Sequence, residues 1–142
     1  MTLALPGVTL SQDENKANSE PSYTLETNPD DTHELARLKA AYRLMSAYTQ
    51  VQKICELCSQ PRVMQGFHSA NGTVLAKITK VFKETGALND KWKAAVTDYT
   101  DKAVEKAMSE NNCNQLIALI KEDHWSLYKG RFLDDYNIVI NK

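Results

Sequence analysis

From Leu35 onward, apolar side chains recur three or four residues apart. Leu35, Leu38, Tyr42, Met45, Tyr48, Val51, Cys55 and Cys58 share one helical stripe, while Arg37, Lys39, Arg43, Gln50, Gln52 and Lys53 fall largely elsewhere. Asp30, Asp31 and Thr32 are all good N-cap types, and neither Pro nor Gly interrupts the run before Pro61. The spacing predicts a long first helix of about 27 residues, roughly 40 Å from end to end.

Pro61, Gly66, Asn71 and Gly72 mark the first connection. A second helix is expected over 73–85, with Val74, Leu75, Ile78, Val81 and Phe82 inward, Lys77, Lys80 and Lys83 toward water, and Gly86 as its C′ residue. Asn89 or Asp90 can cap a third, which carries Trp92, Ala95, Val96, Tyr99, Ala103, Val104 and Met108 on one side and ends at Asn111 and Asn112. Leu116, Ile117, Leu119 and Ile120 belong to a fourth, expected to run into Trp125 and Leu127 and to break at Gly130. Tyr136, Ile138, Val139 and Ile140 have strand-like composition. A lone strand is not stable, so the end of the chain is expected to be an irregular tail, or a short extra helix, laid over the bundle. The expected fold is therefore all-α: a small bundle of about four helices with a long first helix and an irregular C-terminal tail.

The N-terminal segment reads differently. Residues 13–31 hold Pro21, Pro29 and many Asp, Glu, Asn and Ser. They offer little apolar surface to offset the entropy of ordering, which predicts a disordered, solvated linker. Residues 1–12 are apolar, with small residues near their end, and then turn polar. They resemble the second half of a secretory signal peptide without its basic start, and an ordinary disordered start fits them equally well. The expected division is a leader over 1–31 and a helical domain over 32–142.

The chain has 142 residues, 42% hydrophobic and 25% charged, which suits one domain. Its aromatics lie almost entirely after residue 40, which places the core there. The net charge of −1 hides an asymmetry: residues 1–32 carry six acidic groups against Lys16 alone, −5, and the remainder carries +4. A mildly basic domain without a dense basic stripe argues against nucleic-acid binding. No stretch of 18 apolar residues is present, so no transmembrane helix is expected.

Cys55, Cys58 and Cys113 are the first candidates for chemistry. A structural disulfide would join Cys55 or Cys58 to Cys113 and require an oxidising compartment. A metal site would combine the three thiols with a histidine, His68 being the nearest in sequence, but only half of a paired zinc pattern is present. Thioredoxin-like chemistry needs C-x-x-C at a helix N-terminus, whereas Cys55 and Cys58 fall near a predicted C-terminus, where the dipole disfavours a thiolate. The plain alternative is three thiols acting as small core residues. The disulfide is favoured because of the signal-like start.

His33, His68 and His124 stand outside any metal-binding frame, and no nucleophile elbow, Walker or Rossmann glycine pattern occurs. The pairs Glu122-Asp123 and Asp134-Asp135 are expected on solvated faces. Asn71-Gly72-Thr73 matches the glycosylation sequon. Possible partner-binding residues are the lysine row Lys77, Lys80 and Lys83, and His124 with Trp125. The resulting expectation is a small exported protein, periplasmic or secreted, that binds another protein (as an inhibitor, immunity protein or adaptor does) without catalysis, cofactor or metal. The alternatives are a cytoplasmic helical regulator, with the turn at Gly86–Asn89 read as part of a helix–turn–helix, and a Cys/His metal-binding protein.

Overall fold

The computed structural model describes residues 23–85 and 90–141. The signal-like residues 1–12, the first part of the acidic linker and the Gly86–Asn89 turn lie outside the described residues. The described residues form no strand and are mostly helical, with six α-helices: α1 His33–Leu57, α2 Pro61–Ala70, α3 Gly72–Thr85, α4 Asp90–Glu110, α5 Cys113–Glu122 and α6 Phe132–Ile140, with a 3-10 turn at Ser126–Tyr128. The all-α class and the long first helix hold. The count of about four helices does not.

Helix α1 begins where its cap chemistry dictates. The Thr32 side chain accepts from Leu35 N at 3.1 Å, satisfying one of the free first-turn donors. The helix then runs 25 residues, about 37 Å, to Cys58. Ser59 takes a left-handed backbone, φ 56°, and Gln60 N donates to Cys55 O at 2.8 Å to close the end. Its burial departs from the single stripe of the sequence pattern. Between Leu38 and Tyr48 almost every residue is covered, including Lys39, Arg43 and Ser46, because α1 is the central helix, touched by all five others.

The two extra helices arise where the punctuation along the chain is ambiguous. Pro61 and Gly66 read as breakers, yet Pro61 occupies N1 of α2, where its fixed φ suits a helix and its missing N–H costs nothing. Phe67 of α2 is wholly buried. The C-terminal segment is the short extra helix of the two expected alternatives, not the irregular tail. Phe132, Tyr136 and Val139 recur at spacings of four and three, Asp134 and Asp135 fall in the first turn where the dipole favours acids, and α6 packs along α1. Lys129 and Gly130, at φ 55° and 79°, supply the sharp break before it. The linker expected to stay solvated up to residue 31 instead lays its last residues on the bundle, with Leu25 only 4% exposed.

Two apolar clusters form the core. One gathers Leu25, Leu38, Tyr42, Phe82, Trp92 and Val139; the other gathers Tyr48, Val51, Ile54, Phe67, Leu116 and Ile120. Trp125 packs against both. Tyr42 stacks on Trp92 at 5.0 Å and meets Phe82 at 4.5 Å.

Burial also pushes the Tyr42 phenol up to about 12 and raises Tyr128 further still. An unfolded tyrosine ionises near pH 10, so the unfolded chain gives up these protons while the folded chain retains them. Stability should be intact below about pH 10 and fall as pH rises from there through about 12, by about 1.4 kcal/mol per pH unit for Tyr42 alone. Urea unfolding midpoints measured from neutral to alkaline pH would check this; midpoints unchanged up to about pH 12 would contradict it.

Candidate functional site

Three groups of residues stand out for their chemistry, and the first is the cysteines. Cys58, the cap residue of α1, is bonded to Cys113, the first residue of α5, with 5.6 Å between their Cα atoms. Asn112 and Gln115 fix the α5 end with a reciprocal capping box, each side chain accepting from the other's backbone N–H at 2.8 Å. The bridge thus ties the exit of the central helix to a rigid helix start. Cys55 remains a thiol, 1% exposed, and burial raises its pKa. The metal reading loses two of its ligands to the bridge. Among the described residues no group of three or more His, Cys, Asp or Glu stands within reach of one ion.

The second group is the aromatic node where α2 meets the end of α5. Asn71, 6% exposed, donates from Nδ2 to Phe67 O at 2.9 Å and to His124 Nδ1 at 3.2 Å, and its Oδ1 accepts from Trp125 Nε1 at 3.0 Å. With Oδ1 receiving the indole N–H, both amide protons point outward. His124 Nδ1 is therefore the acceptor, and its ring proton is on Nε2. Trp125 also stacks on Phe132 at 4.5 Å and meets Phe67 at 5.4 Å. His68 contacts the Tyr48 hydroxyl through Nδ1, and its Nε2 lies 3.2 Å from Gln52 Nε2. The residues singled out as His124 and Trp125 are thus half-buried and bonded inward. The Asn71 sequon is spent in the same node, its amide fully engaged. Asn71→Ala should cost about 1–3 kcal/mol, since Trp125 Nε1 loses its acceptor in a largely buried place. A thermal unfolding comparison with the unaltered protein would show it, and a change within error would refute the node's role.

The third group is the lysine row. Lys77, Lys80 and Lys83 are exposed on α3, and none has an ion-pair or hydrogen-bond partner among the described residues. The acid of that helix, Glu84, is engaged by Arg37 at 3.0 Å. The row carries an unbalanced positive face, and nothing in the structure bonds it to His124 or Trp125.

A buried polar network was not foreseen in the sequence. Asp135, expected on a solvated face with Asp134, is 3% exposed. Arg43 donates to it twice, Nε to Oδ2 at 3.1 Å and Nη2 to Oδ1 at 2.7 Å, and the Tyr128 hydroxyl donates to Oδ2. The remaining arm of Arg43 reaches Leu25 O at 2.6 Å and Thr27 Oγ1 at 2.9 Å. Nearby, Lys39 pairs with Asp31 at 2.9 Å. The available signal was the place of Asp135 three residues after Phe132 and four before Val139, on the inward side of α6. The network joins the 23–31 segment, α1, the 3-10 turn and α6, and serves to hold them together. Neither the family models, the curated proteins nor the solved structures contain a match to this chain.

Proposed function

We propose that this protein is an exported helical binding module whose α3 lysine face meets an acidic surface on another protein. The observation that carries the reading is the row Lys77, Lys80 and Lys83, exposed, without an ion-pair partner among the described residues, and beside a Glu84 already occupied by Arg37. Charges left uncompensated on one face steer and select an oppositely charged partner. The Cys58–Cys113 bridge supports the compartment, since such bridges persist where the surroundings are oxidising. No helix among the described residues is long and apolar enough to cross a membrane. The central α1 and its bridge make a rigid platform, which lowers the ordering cost of binding.

The test is a photo-crosslinking residue placed at Lys80 in the source cells, with the extracytoplasmic fraction examined. A discrete protein adduct that disappears in a Lys77→Glu/Lys83→Glu variant is the expected result. An adduct to nucleic acid, or recovery of the protein only from the cytoplasm with Cys113 reduced, would remove the reading.

A further inference from the structure

The cleft between α4, α5 and the Ser126–Tyr128 turn holds about 380 Å³, within the span of roughly 300–1,000 Å³ usual for small-molecule sites. Its wall is apolar: Leu116 is fully buried, Leu127 half-buried, and Leu119 stands 39% exposed along it. Its mouth is cationic on balance, with Lys106, Lys129 and Arg131 against Glu110 and, at its edge, Glu26. The side chains of Lys106 and Lys129 have no partner among the described residues. Arg131 already holds a carboxylate at the edge of this mouth, Glu26 at 3.3 Å.

Lys129 is placed there by an unusual backbone. Its φ of 55° is the left-handed cap that ends the 3-10 turn, and it leaves the Lys129 side chain on the rim of this cleft. Two larger grooves beside the end of α1, about 600 and 680 Å³, differ in electrostatics. The first sets Lys53 against Glu56, and the second sets Lys53 and Lys102 against Glu56, Asp101 and Glu105. Only the α4–α5 cleft, among these three, joins an apolar wall to a net positive rim.

We propose that this cleft binds a small amphipathic anion, a molecule with an apolar body and a single carboxylate. The body lies on Leu116, Leu119 and Leu127, and the carboxylate is held at the mouth by Lys106 and Lys129. A neutral or cationic analogue with the same body lacks the second half of this recognition. The site is independent of the α3 lysine row, so either can fail without the other.

The test is calorimetric titration of the full, disulfide-bonded chain with decanoate below its micellar concentration, with decanol, decyltrimethylammonium and vesicles of anionic phospholipid as separate arms. Saturable one-to-one binding of decanoate is expected, with the cation not binding and decanol weaker by about tenfold. Lys106→Glu/Lys129→Glu should weaken decanoate by about tenfold or more while leaving the melting temperature near that of the unaltered protein. Both lysines are exposed, so this variant should fold; Leu119→Asp is a second variant that should abolish binding from the apolar side. No saturable binding, equal binding of the cation, or indifference to charge reversal would overturn the proposal. Binding to vesicles without binding of decanoate would also overturn it, and would assign the face to a lipid surface.

Discussion

Replacing Asp135 with Ala should cost this protein about 3–5 kcal/mol of unfolding free energy, the usual consequence of removing one partner from a buried ion pair. The carboxylate takes two donors from Arg43 and one from Tyr128, all in a region closed to water. Without it the Arg43 guanidinium stays buried with only Leu25 O and Thr27 Oγ1 to receive it. A loss of that size is a large part of the roughly 5–15 kcal/mol that a domain has. Part of the cost should appear as release of the 23–27 segment, where Leu25 is buried and its carbonyl and Thr27 Oγ1 accept from Arg43, measurable as faster proteolytic cleavage there. Asp135→Asn preserves the shape but not the charge and should also be severe. Arg43→Met/Asp135→Leu removes both charges and should be less damaging than the sum of the single changes, since neither charge is left stranded. Urea unfolding of these three variants and of Arg43→Met and Asp135→Leu singly gives the answer; an Asp135→Ala loss under about 1 kcal/mol would show that breaking the pair strands no buried charge.

Reduction of the Cys58–Cys113 bridge should cost about 4 kcal/mol, because it releases a loop of 55 residues that the bond closes in the unfolded chain. The corresponding fall in melting temperature is on the order of 10–15 °C for a chain of this size. Cys58→Ser/Cys113→Ser should reproduce the effect of reductant, and reductant should then do nothing further to that variant. Cys55→Ser separates bridge from burial: it keeps the bond and should stay sensitive to reductant. If the double variant melts where the unaltered oxidised protein does, the chain-entropy account of this bridge is wrong.

These two features were unequally visible in the sequence. The cysteines announced a bridge, but Cys55 and Cys58 were open candidates because both lie on one turn of the same stripe. Their difference is positional: Cys58 sits at the cap, facing the start of α5, and Cys55 sits a turn inward, packed with Phe67 and Leu116. Asp135 was hidden by its neighbour, since two adjacent acids in a row suggest water, and a helix turns consecutive residues about 100° apart so that one can face in while the other faces out. His124 and Trp125 are possible partner-binding residues in the sequence, and their bonds to Asn71, more than 50 residues away, are beyond any local pattern.

What the sequence alone determined was local. The Thr32 cap, the helices over 33–57, 72–85 and 90–110, and the break at Gly130 follow from spacings of three to four residues and from single-residue backbone preferences, which act without knowledge of the rest of the chain. Long-range packing settled the rest: which cysteine reaches Cys113, why α1 can bury Lys39 and Arg43, and why the last residues of an acidic linker lie down on the bundle. Those outcomes depend on groups 8 to 92 residues apart meeting in a place from which water is excluded. A buried charge is tolerated only when its partner arrives, and the arrival is a property of the fold rather than of any window of sequence.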